Sequence, residues 1–228
     1  MTRFGAIALL AVAVGSSASA ARAAERAGVF TFTVTREGEP IGTHRVAFSH
    51  DGARTEIDAE MELKVTFAMV PLYHFSNERR EVWQDGRPMM ITSRTNDNGE
   101  QLDITLRPDG AGYVRTVNGR VDRLDVSTRV LAMWNPEMLD AKPGLFVSVI
   151  ENQTLEVAFS FLGQETMVID GREIVVDHYR MTGTEERDIW YDADGQVARV
   201  RLERHGDQIE YVRNEYLARP LDGRLARN

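Results

Sequence analysis

Residues 56–70 set the pattern for the chain. Ile57, Ala59, Met61, Leu63, Val65, Phe67 and Met69 are apolar, and Glu56, Asp58, Glu60, Glu62, Lys64 and Thr66 between them are charged or polar. A period of two puts alternate side chains on opposite faces of a strand, one dry and one wet. At about 3.3 Å per residue the stretch would be about 45 Å long, well beyond an ordinary strand. Strands of that length twist around a curved sheet or barrel rather than lie flat.

The same grammar runs on both sides of it. Residues 29–36 and 41–49 read as strands rich in β-branched and aromatic residues. For the Phe30–Phe32–Val34 face to meet Val46 and Phe48, the loop between them must be odd in length, with Gly38 in its left-handed position. Asp51-Gly52 predicts a two-residue hairpin that sets Val46 against Ile57 and Arg45 against Asp58. Short strands at residues 72–83, 89–95, 102–106, 113–117 and 121–126 follow, separated by Asp-Gly and Asn-Gly turns, which describes a meander.

Residues 127–140 break the alternation. They hold helix formers, a capping Ser127 and a terminating Pro136, and predict one short helix. Alternation returns with Leu155, Val157, Phe159 and Phe161, then a turn begun by Gly163 and strands at residues 165–169, 172–182, 187–192, 196–204 and 207–216. Two-residue turns at Asp194-Gly195 and His205-Gly206 predict Ile189 opposite Val200, Asp188 opposite Arg201, Leu202 opposite Ile209 and Val200 opposite Tyr211. Arg201 would then lie between Asp188 and Glu210. The fold class is all-β: one large, strongly curved antiparallel sheet, barrel or half-barrel, with one short helix. By analogy the nearest architecture is the half-barrel of the periplasmic lipoprotein carriers.

The N-terminus changes the picture of where such a sheet works. Arg3, an apolar run at residues 4–15 and small-residue sites ending at Ala20 and Ala23 form a cleavable secretory signal. The apolar run is too short to span a membrane comfortably. We therefore expect a signal peptide at 1–23, one β domain at 24–218, a frayed tail at 219–228, and a periplasmic or secreted product with no transmembrane segment after cleavage. The chain has no cysteine, so neither disulfides nor a lipidated signal cysteine can hold it. The net charge of −8 and the absence of any basic block argue against nucleic-acid binding.

Asp188-Ile189-Trp190-Tyr191-Asp192, Asp194-Gly195 and Ile209-Glu210-Tyr211, with Ile41-Gly42 and Trp134-Asn135, resemble the family called domain of unknown function 6134 and, more distantly, domain of unknown function 3108. The resemblance implies a secreted β protein and carries over no catalytic residues.

Candidate chemistry is sparse. None of His44, His50, His74, His178 and His205 has metal-ligand spacing, and Asp177-His178 point to opposite faces of a strand. Nucleophile-elbow, P-loop and dinucleotide motifs are missing. Met89-Met90 diverge as strand neighbours, and Met61 and Met69 belong to the apolar stripe, so methionines read as core filling rather than a copper site. Trp190 is placed to stack on Arg199. Glu78-Arg79-Arg80-Glu81 charges the sheet too heavily for a lipid-facing barrel. We expect no metal, no cofactor and no catalysis.

A curved sheet must fill its concave face with side chains, a helix or a ligand. The leading expectation is a lipid or other apolar or amphipathic small molecule held by Met61, Leu63, Val65, Phe67, Met69, Leu155, Val157, Phe159 and Phe161. An envelope interaction or assembly module with a filled core comes second, and an enzyme third.

Overall fold

Six hairpins close on the same device. Glu37, Asp85, Asn98, Asn118, Asp170 and His205 take positive φ, and each is followed by a glycine that does so too. This is the two-residue turn whose twist matches that of paired strands. In a computed structural model that describes residues 26–68 and 70–219, these turns link a single sheet. The segment expected to be a signal peptide, Met69 and the tail beyond residue 219 lie outside the described residues.

The first run of strands is β1 (Arg26–Arg36), β2 (Glu39–Asp51), β3 (Arg54–Phe67), β4 (Val70–Gln84), β5 (Arg87–Asp97), β6 (Glu100–Asp109), β7 (Gly112–Val117) and β8 (Arg120–Leu124). The second is β9 (Arg129–Val130), β10 (Gly144–Ser148), β11 (Gln153–Ile169), β12 (Arg172–Gly183), β13 (Arg187–Asp192), β14 (Val197–Arg204) and β15 (Asp207–Arg219). Their order is β8-β7-β6-β5-β4-β3-β2-β1-β15-β14-β13-β12-β11-β10-β9. Neighbours are antiparallel except β9 and β10. The sheet is not closed, since β8 and β9 are its ends. Among the described residues no helix is long and apolar enough to cross a membrane.

The C-terminal register agrees with the sequence pattern. Ile189 pairs with Val200, Asp188 with Arg201, Val200 with Tyr211 and Leu202 with Ile209. The Asp194-Gly195 loop is one residue longer than expected, and an extra residue at Ala198 restores the register. Glu210 is opposite Arg201 but gives its carboxylate to Arg199.

Two N-terminal expectations need correction. The β1–β2 loop is the two-residue Glu37-Gly38 turn, not an odd loop; a bulge at Ile41 supplies the parity, so Phe32 still meets His44 and Phe30 meets Val46. Between β2 and β3 the turn is Gly52-Ala53, so Val46 meets Ala59 and Arg45 meets Glu60. A slip of two residues leaves every side chain on its face, so hydrophobic alternation cannot detect it.

The expected helix is a different object. Residues 129–130 are strand, and only Pro136–Asp140 forms a short 3-10 turn, capped by the Asn135 side chain accepting from the Glu137 amide at 3.1 Å. The segment lacks alternation because both of its sides pack against the core, one buried and the other half-buried, which makes it read as a continuous apolar run. Val130 and Ala132, with Val147 and Val149, pack against Trp83, Ile91 and Leu106 of β4–β6. Leu131 and Met133, with Phe146, pack against Leu155, Val157, Ile189 and Val200 of β11–β14. The β9–β10 end of the sheet is thus rolled into the interior, between the two halves of the same sheet.

Strand β11 also differs from expectation. Gly163 does not turn the chain; it follows a bulge at Leu162, and the strand continues to Ile169. Beyond the bulge, Met167, Ile169, Ile174 and Val176 pack with Trp190, Ala198 and Val212 in a small apolar cluster on the outer face.

A candidate ligand cavity

Along the inner face of β3, Ile57, Ala59, Met61 and Leu63 are buried, while Glu60, Glu62 and Lys64 face solvent. Their cross-strand partners on β4 are not all apolar. Ile57 meets Glu81, Ala59 meets Arg79, Met61 meets Asn77, Leu63 meets Phe75 and Val65 meets Tyr73. Parity places Arg79 and Glu81 inside, although they belong to a run of four charges that suggested a solvated surface.

Glu81, with a side chain 3% exposed, sits between Ile57 and Ile91 on its neighbouring strands. A buried carboxylate needs donors. Arg79 Nε supplies one at 2.6 Å, Trp83 Nε1 another at 2.7 Å and Trp134 Nε1 a third at 3.1 Å. The two indoles meet edge to face, with ring centroids 5.1 Å apart. Trp134 comes from the rolled-in segment, so Glu81 ties that segment to β4. Two more polar ties act alike: Tyr191 OH donates to the Met133 carbonyl at 2.8 Å, and Thr95 Oγ1 to the Ile150 carbonyl at 3.0 Å.

The rolled-in segment does not fill the interior. A cavity of about 1560 Å³ remains between it and β1–β4, β14 and β15. Its wall is mixed, more apolar than polar, with Phe32, Ile57, Met61, Leu63 and Phe75 among its residues, and Leu72 and Tyr73 at the β3–β4 end. His44 and Arg79 are polar groups on the same wall. Burial, and then the nearby Arg79 charge, push the His44 pKa down to about 3, so the ring is neutral at ordinary pH. Burial first, and then the hydrogen-bonded Asp97, raise the Tyr73 hydroxyl above its usual range. Nearer solvent, Arg204 pairs with Glu151, and Arg36 with Asp207 at 2.6 Å.

The nine residues expected to hold a ligand divide sharply. Met61, Leu63 and Val65 line the cavity. The side chain of Phe67 and all of Met69 lie outside the described residues. Leu155 and Val157 are buried in the packed cluster, and Phe159 packs against it, its ring 5.7 Å from Phe146; none of these three borders the cavity. Phe161 is 56% exposed, contrary to the inward placement expected, because β11 has run past the edge of the core there. The sequence reading missed His44, Arg79, Phe32 and Phe75 as lining residues.

Outside the cavity, His178 lies on the outer face, stacked on Trp190 with centroids 4.3 Å apart. Its ring nitrogens face Glu165 at 2.7 Å and Asp188 at 3.1 Å, not the adjacent Asp177, which accepts from Gln164. Burial would raise the Asp188 pKa, but hydrogen bonds from Arg180, Arg201 and His178 outweigh it and hold it at about 2. Arg199 lies over Trp190 at 5.1 Å, as its register requires.

An open sheet rolled around a chamber defines a barrel-like protein with an internal cavity. The chain belongs to the family described as domain of unknown function (DUF6134), whose model matches residues 32–214. It is similar in fold to a crystal structure described as a beta-barrel-like protein of domain of unknown function DUF1849 from Brucella abortus. That likeness has a TM-score of 0.65 at 7% identity and covers 86% of this chain and 98% of that one. No curated protein shows a matching sequence.

The residues that carried the family resemblance acquire structural roles. A Cβ on Gly42 would stand 1.9 Å from the Glu62 carbonyl oxygen, so the backbones of β2 and β3 approach there only without a side chain. Trp134 binds Glu81, and Asn135 caps the 3-10 turn. Asp192 accepts from the Asp194 and Gln196 amides and pairs with Arg213 at 2.7 Å, which fixes the loop after β13.

Proposed function

We propose that this protein is an exported, non-catalytic binding protein that holds an apolar or amphipathic small molecule in the cell envelope. The cavity carries the reading. A filled core would have favoured an interaction module; a chamber of about 1560 Å³, with a wall that joins apolar side chains to polar ones, favours an amphipathic ligand. The signal-like N-terminus supports export, and the absence of cysteine fits a chain whose stability comes from its sheet and core.

Titration with the neutral apolar dye N-phenyl-1-naphthylamine tests it. The reading expects saturable binding at one site per chain, weakened about tenfold or more by Leu63→Asp, which sets a charge in the apolar wall. Absence of saturable binding would refute it. N-terminal sequencing of protein recovered from the envelope should begin at residue 21 or 24; an intact Met1 in the exported form would overturn the export reading.

A further inference from the structure

We infer that the ligand of this cavity is an amphipath with a carboxylate head, held by the outer edge of the Arg79 guanidinium. The inference rests on the binding reading above and adds the class of head group.

Arg79 is unusual in its placement. Its side chain is only 10% exposed, and it borders the chamber beside apolar residues of β2 and β3. A guanidinium offers two pairs of donors in one plane, one involving Nε and one formed by Nη1 and Nη2. Glu81 takes Nε at 2.6 Å. Nη1 and Nη2 make no hydrogen bond to protein among the described residues, and they are absent from the buried atoms left without a partner. Their surface is therefore reached from the cavity.

Glu81 does not satisfy that outer edge. Its oxygens already accept from two indoles as well as Arg79 Nε, and it lies deeper in the wall. Across from Arg79 stand Ala59 on β3 and Ser93 on β5. His44, also on the cavity wall, is neutral and offers no competing charge. Two parallel N–H donors in the wall of a chamber match the two oxygens of a carboxylate.

The remainder of the wall suits a chain attached to that head. From the level of Arg79, the inner face of β3 passes Met61, Leu63 and Val65 toward Leu72 at the β3–β4 end. Six residues of strand span about 20 Å, the reach of a long extended acyl chain. The cationic groups nearer solvent share the cavity wall with their carboxylate partners, Arg204 with Glu151 and Arg36 with Asp207, whereas Glu81 does not border the cavity, so the head is directed inward.

The test is competition against bound N-phenyl-1-naphthylamine by four ligands of one chain length: dodecanoate, dodecanol, dodecylamine and dodecyl phosphate. Dodecanoate should bind about tenfold or more tighter than dodecanol, with dodecylamine weakest, as expected when a charge-assisted pair of hydrogen bonds is gained. Equal affinity for dodecanoate and dodecanol overturns the inference while leaving the cavity reading intact. Tighter binding of dodecyl phosphate overturns the choice of carboxylate. If the dye itself does not bind, both readings fall. The double variant Arg79→Gln/Glu81→Gln removes the buried pair together and should abolish the preference for dodecanoate; a retained preference refutes the role of Arg79. If that variant does not fold, Arg79→Lys keeps the charge beside Glu81 and loses the fork. It should reduce the preference severalfold, and an unchanged preference again refutes the inference.

Discussion

Phe146 and Val147 are neighbours on β10 with side chains on opposite faces, and they are 1% and 0% exposed. A strand near the end of an open sheet ordinarily keeps one wet face. Here Phe146 packs toward β11–β14 and Val147 toward β4–β6, because the end of the sheet is wrapped by the rest of it. Val147→Thr changes shape little but puts a hydroxyl into that dry contact. It should cost about 1–3 kcal/mol. Phe146→Ala should cost about 3–5 kcal/mol through the cavity it leaves. Urea unfolding measures both, and a neutral Val147→Thr would mean that the second face of β10 is wet.

Glu81 and Trp134 give the rolled-in segment its polar anchor. Trp134→Phe keeps most of the ring and removes one donor, at an expected cost of about 1–2 kcal/mol. Glu81→Ala strips the acceptor from two indoles and a largely buried guanidinium and should cost about 3–5 kcal/mol. The two effects should be non-additive, since they share one hydrogen bond. A double-mutant cycle that gives simple additivity would show that the bond contributes nothing.

His44 makes the fold acid-sensitive. The unfolded chain protonates this ring as pH falls through about 6.5, and the folded chain does so only near 3. Between those values the unfolded state binds more protons, so the stability present above the window is lost as pH falls, by at most about 1.4 kcal/mol per pH unit. His44→Gln removes this contribution. Urea midpoints at pH 7 and pH 4 should differ less in the variant than in the wild type; equal differences would show that the ring titrates normally.

Gly42 tests the close approach of β2 and β3. Gly42→Ala brings a methyl against the Glu62 carbonyl, a contact of 1.9 Å that requires the backbone to move. We expect a loss of about 2 kcal/mol or more. Gly38→Ala meets no atom within 4 Å, although its φ of +83° adds strain. Its loss should be about 1 kcal/mol, smaller than that of Gly42→Ala. Thermal unfolding of the two variants gives the order.

Much of the fold is legible in the sequence because strands announce themselves by parity. The β3 stripe and the β13–β15 register follow from alternation and from turn residues. The β2–β3 register does not, since a slip of two keeps the same faces. The rolled-in segment was unreadable for the opposite reason: with Val130 buried and Leu131 half-buried on the other side, it has no wet face to mark it as strand. Three cavity residues, Met61, Leu63 and Val65, were visible in the stripe. Arg79 and Glu81 were not, because four consecutive charges suggest solvent. Extending the odd parity of Phe75 and Trp83 through residues 79 and 81 would have placed both inside.

The seam between β1 and β15 joins strands from opposite ends of the chain. Every other neighbouring pair in the sheet is consecutive in sequence. The described sheet is therefore two runs of sequential strands, joined by short-range hairpins except for the parallel β9–β10 step, and one zipper that needs both β1 and β15 present. Closing so long a loop is the slow, entropically expensive step. Until β15 arrives, β1 offers an unpaired backbone edge to any passing strand. A chain that emerges N-terminus first carries that sticky edge throughout its synthesis. Loss of β15 would leave a half-zipped sheet prone to pair with its own kind.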